Sequence, residues 1–196
     1  TMERLDSALA QEGVLNMLNT RHIIYSNERP PLMNTNALGS AWFVDELRWV
    51  KNADEEITSL GSIDPARTAV ADERFKAELG DAPISADASA SVTLDTYATN
   101  QLDYTVRSAS GGLVVFSAIW YGPDWQAYID DQPVPHGRVD YVLRAMRVPA
   151  GDHKVTFKLE GRTAAEARPV MLGASLLVLL LALGALVMEV RKQLQP

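Results

Sequence analysis

The run "VMLGASLLVLLLALGALVM", Val170 to Met188, constrains this chain more than any other stretch: it carries no charge, and Ser175 is its only side-chain hydroxyl. Its 19 residues, rising ~1.5 Å each, make a helix of roughly 28 Å, close to the ~30 Å hydrocarbon core of a bilayer. A surface helix of a soluble domain keeps a polar stripe for water. This segment has none, so it reads as a transmembrane helix and not as an amphipathic one. A cleaved secretory signal stands ahead of the domain it exports, whereas this run follows its domain. Arg191 and Lys192 come directly after it and favour a cytoplasmic C-terminus by the positive-inside rule, while Arg162 and Arg168 on the other side reduce the contrast.

The remaining chain has the means to fold. With 196 residues and 47% hydrophobic content it can bury a core of one or two small domains. Its net charge of −7, from 18 basic and 25 acidic residues, comes without a cluster of Lys and Arg. Nucleic-acid binding draws its affinity from such clusters, so no nucleic-acid partner is expected. The absence of cysteine removes disulfides, thiolate metal sites and a cysteine nucleophile together.

Two kinds of periodicity divide the region before the span. From about Leu5 to Leu18 the apolar spacing is helical, and "RHIIYS" then predicts a short buried strand of Ile23, Ile24 and Tyr25. "AWFVDELRWV", Ala41 to Val50, predicts a strand, and "NADEEITSLGS" a short helix capped by Asn52 or Asp54, with acids in its first turn and Gly61 past its end. Asp64-Pro65 is a turn, and "TAVAD" one more strand. This first region, residues 1–85, is expected to be a small α+β unit.

From Ala90 onward the pattern is that of strands. "SVTLDTYATNQLDYTVRS" alternates apolar and polar residues, Gly111-Gly112 turns the chain, and "LVVFSAIW" is apolar throughout, as a central strand covered on both faces would be. After Gly122-Pro123, "WQAYID" alternates again and Asp130-Asp131 makes a turn. "YVLRAMRVPAGDHKVTFKLEG" predicts two strands about a tight turn from Pro149 to Asp152. Short antiparallel strands with this punctuation argue an antiparallel β-sandwich, jelly-roll-like, over 86–162, followed by a linker, the span at about 170–190 and a short tail within 163–196.

A search for chemistry returns little. His22, His136 and His153 sit in different elements without zinc-ligand spacing, so neither a metal site nor a cofactor is expected. Ser117 lacks the G-x-S-x-G elbow of a serine nucleophile, and Gly111-Gly112 is followed by no phosphate-binding helix. Asp124, Asp130 and Asp131 could pair for glycoside hydrolysis, but each stands at a turn signal, where aspartate accepts backbone hydrogen bonds. No catalytic residue is assigned. The aromatic stretch "WYGPDWQAY" is the remaining candidate. Trp125 shares a strand face with Ala127 and Ile129 and is expected in the core. Tyr121 beside the turn is the residue freest to meet a ligand, with Tyr128 from the polar face and Trp120 as further candidates.

"FSAIWYGPDWQAYIDDQPV" followed by "LRAMRVPAGDHKVTFKLEG" and then by an apolar span resembles the C-terminal extracytoplasmic region of YfhO-like bacterial membrane proteins. Pro149 to His153 fits that family's Pro-Ala-Gly-x-His hairpin, while Asp130-Asp131 stands where its turn usually reads Asp-Gly. Earlier, "NMLNTRHIIY", "AWFV", "DEEI" and "DPARTAV" resemble its preceding elements in the same order. The resemblance implies the tail of a polytopic protein in the bacterial cytoplasmic membrane, related to multi-span glycosyltransferases that use lipid-phosphate-linked sugars. The start at Thr1-Met2, without a signal sequence, also suggests a piece of something longer. In such enzymes the catalytic carboxylate belongs to an early extracytoplasmic loop, and nothing in this chain matches that loop. The expected partners are therefore membrane lipid, the upstream membrane part of the same protein and a glycan or cell-envelope polymer. Residues 1–168 would lie outside the membrane. An accessory domain of a glycosyltransferase-like protein and a membrane-anchored carbohydrate-binding module, with Trp120, Tyr121 and Trp125 stacking a sugar, both remain open.

Overall fold

The structure, a computed structural model, describes residues 12–84, 87–122 and 124–194. The chain divides into two compact units, Thr1–Leu159 and Glu160–Pro196.

The first unit is built on two antiparallel sheets. One has five strands in the order β10-β9-β13-β7-β6, formed by Gln132–Val134, Trp125–Ile129, Gly151–Leu159, Gln101–Ser108 and Ser91–Ala98. The other has four, in the order β11-β12-β8-β3, formed by Gly137–Val139, Leu143–Val148, Gly112–Ile119 and Ala41–Val44. Their inner faces meet in one core: Leu102, Tyr104 and Val106 on β7, Val155 and Phe157 on β13, and Ala127 and Ile129 on β9 pack with Val114 and Phe116 on β8 and Met146 and Val148 on β12. The β-sandwich expected from the period-two pattern is the fold observed.

The four-stranded sheet has a second covered face, and this explains the unbroken apolar run in β8. Residues 114 and 116 face the sandwich interior, whereas Leu113 and Val115, with Leu143 and Ala145 of β12, pack against Ala69, Ala71, Phe75 and Leu79. Those last residues belong to a small α+β layer. In it β4 (Glu46–Val50) and β5 (Thr68–Asp72) pair in parallel, joined by helix α2 (Ala53–Ser59), because parallel neighbours need a crossover. Asn52 caps α2 by accepting the Glu55 N–H at 2.9 Å, and Asp54, Glu55 and Glu56 fill its first turn, as its sequence predicts. A short helix α3 (Lys76–Leu79) closes the layer.

Several expectations are corrected. "AWFVDELRWV" is two strands in two different sheets: at Asp45 the chain leaves β3 for β4, and the N–H groups of Asp45 and Glu46 both donate to the Arg67 carbonyl. "RHIIYS" supplies only the two-residue β1 (His22–Ile23), paired with β2 (Leu32–Met33), and Ile24 and Tyr25 are exposed because no layer among the described residues covers this ribbon. The helix expected from about Leu5 lies partly outside the described residues, and what is described of it is α1, Gly13–Met17. Across residue 85, β3 completes the sandwich's own sheet and β5 packs on it.

In the second unit, helix α4 runs from Arg162 to Leu194, so residues expected as a linker are helical. Ala165–Met188, 24 residues, is long and apolar enough to cross a bilayer, and none of it is buried.

Candidate functional site

A groove of about 840 Å³ opens at one end of the sandwich. Its walls come from both sheets: Leu94 and Tyr97 of β6, Leu102 and Tyr104 of β7 and Trp125 of β9 on one side, and Ala118 and Ile119 of β8 with Arg144 of β12 on the other. Tyr121, in the loop after β8, completes the rim. The opening has a local cause. Leu143 pairs with Ile119, but Arg144 pairs with Phe116, so β8 carries extra residues at Ser117-Ala118 and bulges away from β12. Bulges of this kind bend a strand and release backbone groups from the ladder. The Ile119 carbonyl is one such group, and the Arg144 Nε donates to it at 2.9 Å.

The rim is exposed and aromatic, with Tyr97 at 80% and Tyr121 at 49% exposure, while Arg144 in the lining retains only 3%. The Arg144 guanidinium lies 4.2 Å from the Trp125 ring centre and 5.2 Å from that of Phe157. Burial lowers its pKa to about 10, so it remains charged at neutral pH. Burial, helped by the Arg144 charge, lowers the nearby His136 to about 4 and keeps that imidazole neutral. The Tyr104 hydroxyl, also by burial, is pushed up to about 12.

The three residues singled out from the sequence separate here. Tyr121 lines the groove. Trp120 does not: its ring meets Phe75 edge-on at 5.2 Å and packs against the core on the far face of the four-stranded sheet. A Cβ on Gly122 would collide with that ring, so the glycine is required by the fold of this loop. Pro123, the second half of the expected turn, lies outside the described residues. Tyr128 is on the opposite face of β9 from the core residues Ala127 and Ile129, with the Lys158 ammonium 5.0 Å from its ring centre, and is not among the groove-lining residues. Trp125 packs against the sandwich core, as its strand face predicts, and also lines the groove.

Asp130, one of the turn aspartates, is engaged within the fold. Asp130 Oδ2 pairs with His153 Nδ1 at 2.7 Å and Oδ1 accepts the Lys154 N–H at 2.9 Å, so both oxygens are engaged. Among the described residues no three or more His, Cys, Asp or Glu side chains are grouped to hold a metal ion. The described lining of the groove contains no carboxylate, imidazole or lysine. It therefore offers aromatic faces and a buried cation, which is binding chemistry, and no general acid–base pair.

Residues 76–159, from α3 to the end of β13, match the family model described as bacterial membrane protein YfhO. That stretch is similar to the YfhO family. No curated protein and no solved structure matches the chain. The YfhO match covers every strand of the sandwich except β3, and with it the groove residues from Leu94 to Arg144. Together with the exposed 24-residue apolar helix, it makes this a membrane protein.

Arg144, like Tyr97, is a groove residue that sequence reasoning passed over. The available signal was an arginine inside "LRAMRV", a strand otherwise rich in apolar residues.

Proposed function

We propose that the sandwich is the extracytoplasmic accessory domain of a polytopic, glycosyltransferase-like membrane protein, with α4 as its final span. Its groove holds a saccharide unit of the acceptor glycan or cell-envelope polymer. In this reading residues 1–168 lie outside the cytoplasmic membrane, the C-terminus is cytoplasmic, and α4 meets lipid and the other spans of the same protein. The supporting observation is the groove: exposed Tyr97 and Tyr121 and half-buried Trp125 line one cavity of about 840 Å³, within the ~300–1,000 Å³ usual for small-ligand clefts. Aromatic faces suit the apolar C–H faces of sugar rings, as other amphipathic surfaces do. The same groove would serve a membrane-anchored carbohydrate-binding module, the second reading.

Calorimetric titration of the full chain in detergent micelles with neutral and acidic trisaccharides tests the proposal. Tyr121→Ala should weaken saccharide binding at least tenfold, on the order of 1.4 kcal/mol, and leave stability within about 0.5 kcal/mol. Trp125→Ala should weaken binding and also cost about 2–4 kcal/mol of folding stability, because its ring packs against the core. If no trisaccharide binds the parent chain, the glycan reading is wrong.

A further inference from the structure

Two arginines on β12 face opposite layers, and their surroundings differ. Arg147, on the outer face, donates to the carbonyls of Leu79, Gly80 and Ala82 and closes the C-terminal end of α3. Arg144, on the inner face, has one acceptor among the described residues, the Ile119 carbonyl, and its buried Nη1 has no hydrogen-bond partner there. Among the described residues no carboxylate forms an ion pair with it. Its charge is therefore almost wholly removed from water and, among the described residues, is met by the Ile119 carbonyl and the ring faces of Trp125 and Phe157.

A buried cation without an anion is costly, and a methionine of similar length would fill the same space without that cost. Among the described residues the charge meets a carbonyl and two ring faces but no anion. A ligand that brings an anion would satisfy the open donor capacity and be recognised in a low-dielectric site, where a charge-assisted hydrogen bond is strongest. The bulge at Ser117-Ala118 opens the groove beside this guanidinium, and the exposed Tyr97 and Tyr121 flank the opening.

We propose that Arg144 is an anion-recognising residue and that the saccharide held in the groove bears a carboxylate or a phosphate. This inference rests on the glycan-binding reading above and narrows it. A sugar ring on the rim aromatics and an anionic substituent on Arg144 would occupy one cavity. A neutral sugar would leave the arginine unpaired, so the site discriminates by charge as well as by shape.

The test uses the full chain in a nonionic detergent, titrated with trigalacturonate, its methyl ester, glucose 1-phosphate, glucose and inorganic phosphate. The expected result is that trigalacturonate binds at least tenfold tighter than its ester, or glucose 1-phosphate at least tenfold tighter than glucose. Which pair shows the preference assigns the carboxylate or the phosphate. Arg144→Met should abolish the preference while its thermal midpoint stays equal to or above the parent's, an outcome a merely structural arginine would not give. Arg144→Lys should retain part of the preference. Should Arg144→Met fail to fold, the parent's preference for trigalacturonate over its ester and the response of Arg144→Lys decide the matter.

Charged and neutral sugars binding alike, or a preference that survives in Arg144→Met, would overturn the anion inference and leave the glycan reading standing. Inorganic phosphate binding as tightly as glucose 1-phosphate, with no preference for trigalacturonate over its ester, would also overturn it, because the groove would then hold a free anion and not a charged sugar. Binding of none of the probes would overturn both.

Discussion

Asp130 and Asp131 form a two-residue hairpin loop between β9 and β10, with φ of +49° and +64°. Hairpins of this length twist correctly when both loop residues take the left-handed backbone, which is why Asp-Gly is favoured there. Asp130 earns its place through its side chain. Hydrogen bonds from His153 and the Lys154 N–H hold its carboxyl below the usual range, and the same contact raises His153. Asp131 accepts the left-handed backbone at a steric cost that glycine would not bear. Asp131→Gly should therefore stabilise the first unit by on the order of 0.5 kcal/mol, visible as a higher urea midpoint with an unchanged m value. A lower midpoint would mean that the Asp131 side chain contributes more than its backbone costs. These residues were legible as a turn because aspartate pairs mark turns by local chemistry alone.

At the scale of elements, the α+β layer is fastened to the sandwich by buried carboxylates. Glu56 of α2 accepts the Tyr141 N–H at 2.9 Å and pairs with Arg138. Asp140, in the β11–β12 hairpin, accepts the Val70 N–H of β5 at 2.8 Å, and its own N–H donates to the Val70 carbonyl at 2.7 Å. Burial, with a smaller contribution from the Glu56 charge, pushes the Asp140 carboxyl from 3.8 to about 7, while the Val70 hydrogen bond opposes this. A folded-state pKa above the unfolded one means the native state holds its proton longer. The stabilisation from protonated Asp140 is thus complete below about pH 4 and lost as pH rises to about 7. Relative to Asp140→Asn, which keeps the acceptor and cannot ionise, the parent should lose on the order of 2–4 kcal/mol of stability between pH 4 and pH 8. Denaturant melts of both proteins across that range check it, and parallel curves would show that the carboxyl does not titrate in this window. Nothing in "RVDYVL" distinguishes this buried aspartate from a surface one, because its burial comes from α2 and β5, far away in sequence.

At the scale of the whole molecule, the two units meet different solvents. The first buries its apolar residues in two cores on either side of one sheet. The second exposes every leucine from 172 to 186, which water would not tolerate and a hydrocarbon core would. The full chain should therefore require detergent or lipid to remain monodisperse, whereas a form ending at Gly161 should be soluble and monomeric without either. Size-exclusion chromatography with light scattering distinguishes the two, and a monodisperse full chain in plain buffer would refute the membrane-spanning reading of α4.

By itself the sequence determined what depends on neighbours along the chain. Strand alternation, the Asn52 cap, the aspartate turn and the apolar span all arise from interactions within a few residues, so local pattern is sufficient to find them. Only the tertiary structure decided what depends on distant layers. A β8 that is apolar on both faces hides which residues look inward, so alternation puts Arg144 and Arg147 on opposite faces of β12 but gave no sign which of them faces the sandwich interior. The groove shares this origin: its lining residues are spread from Leu18 to Arg144 and converge only when two sheets stack and one strand bulges. Burial is a property of the packed layers and not of the chain, and it is burial that takes the Arg144 charge out of water with no carboxylate beside it among the described residues.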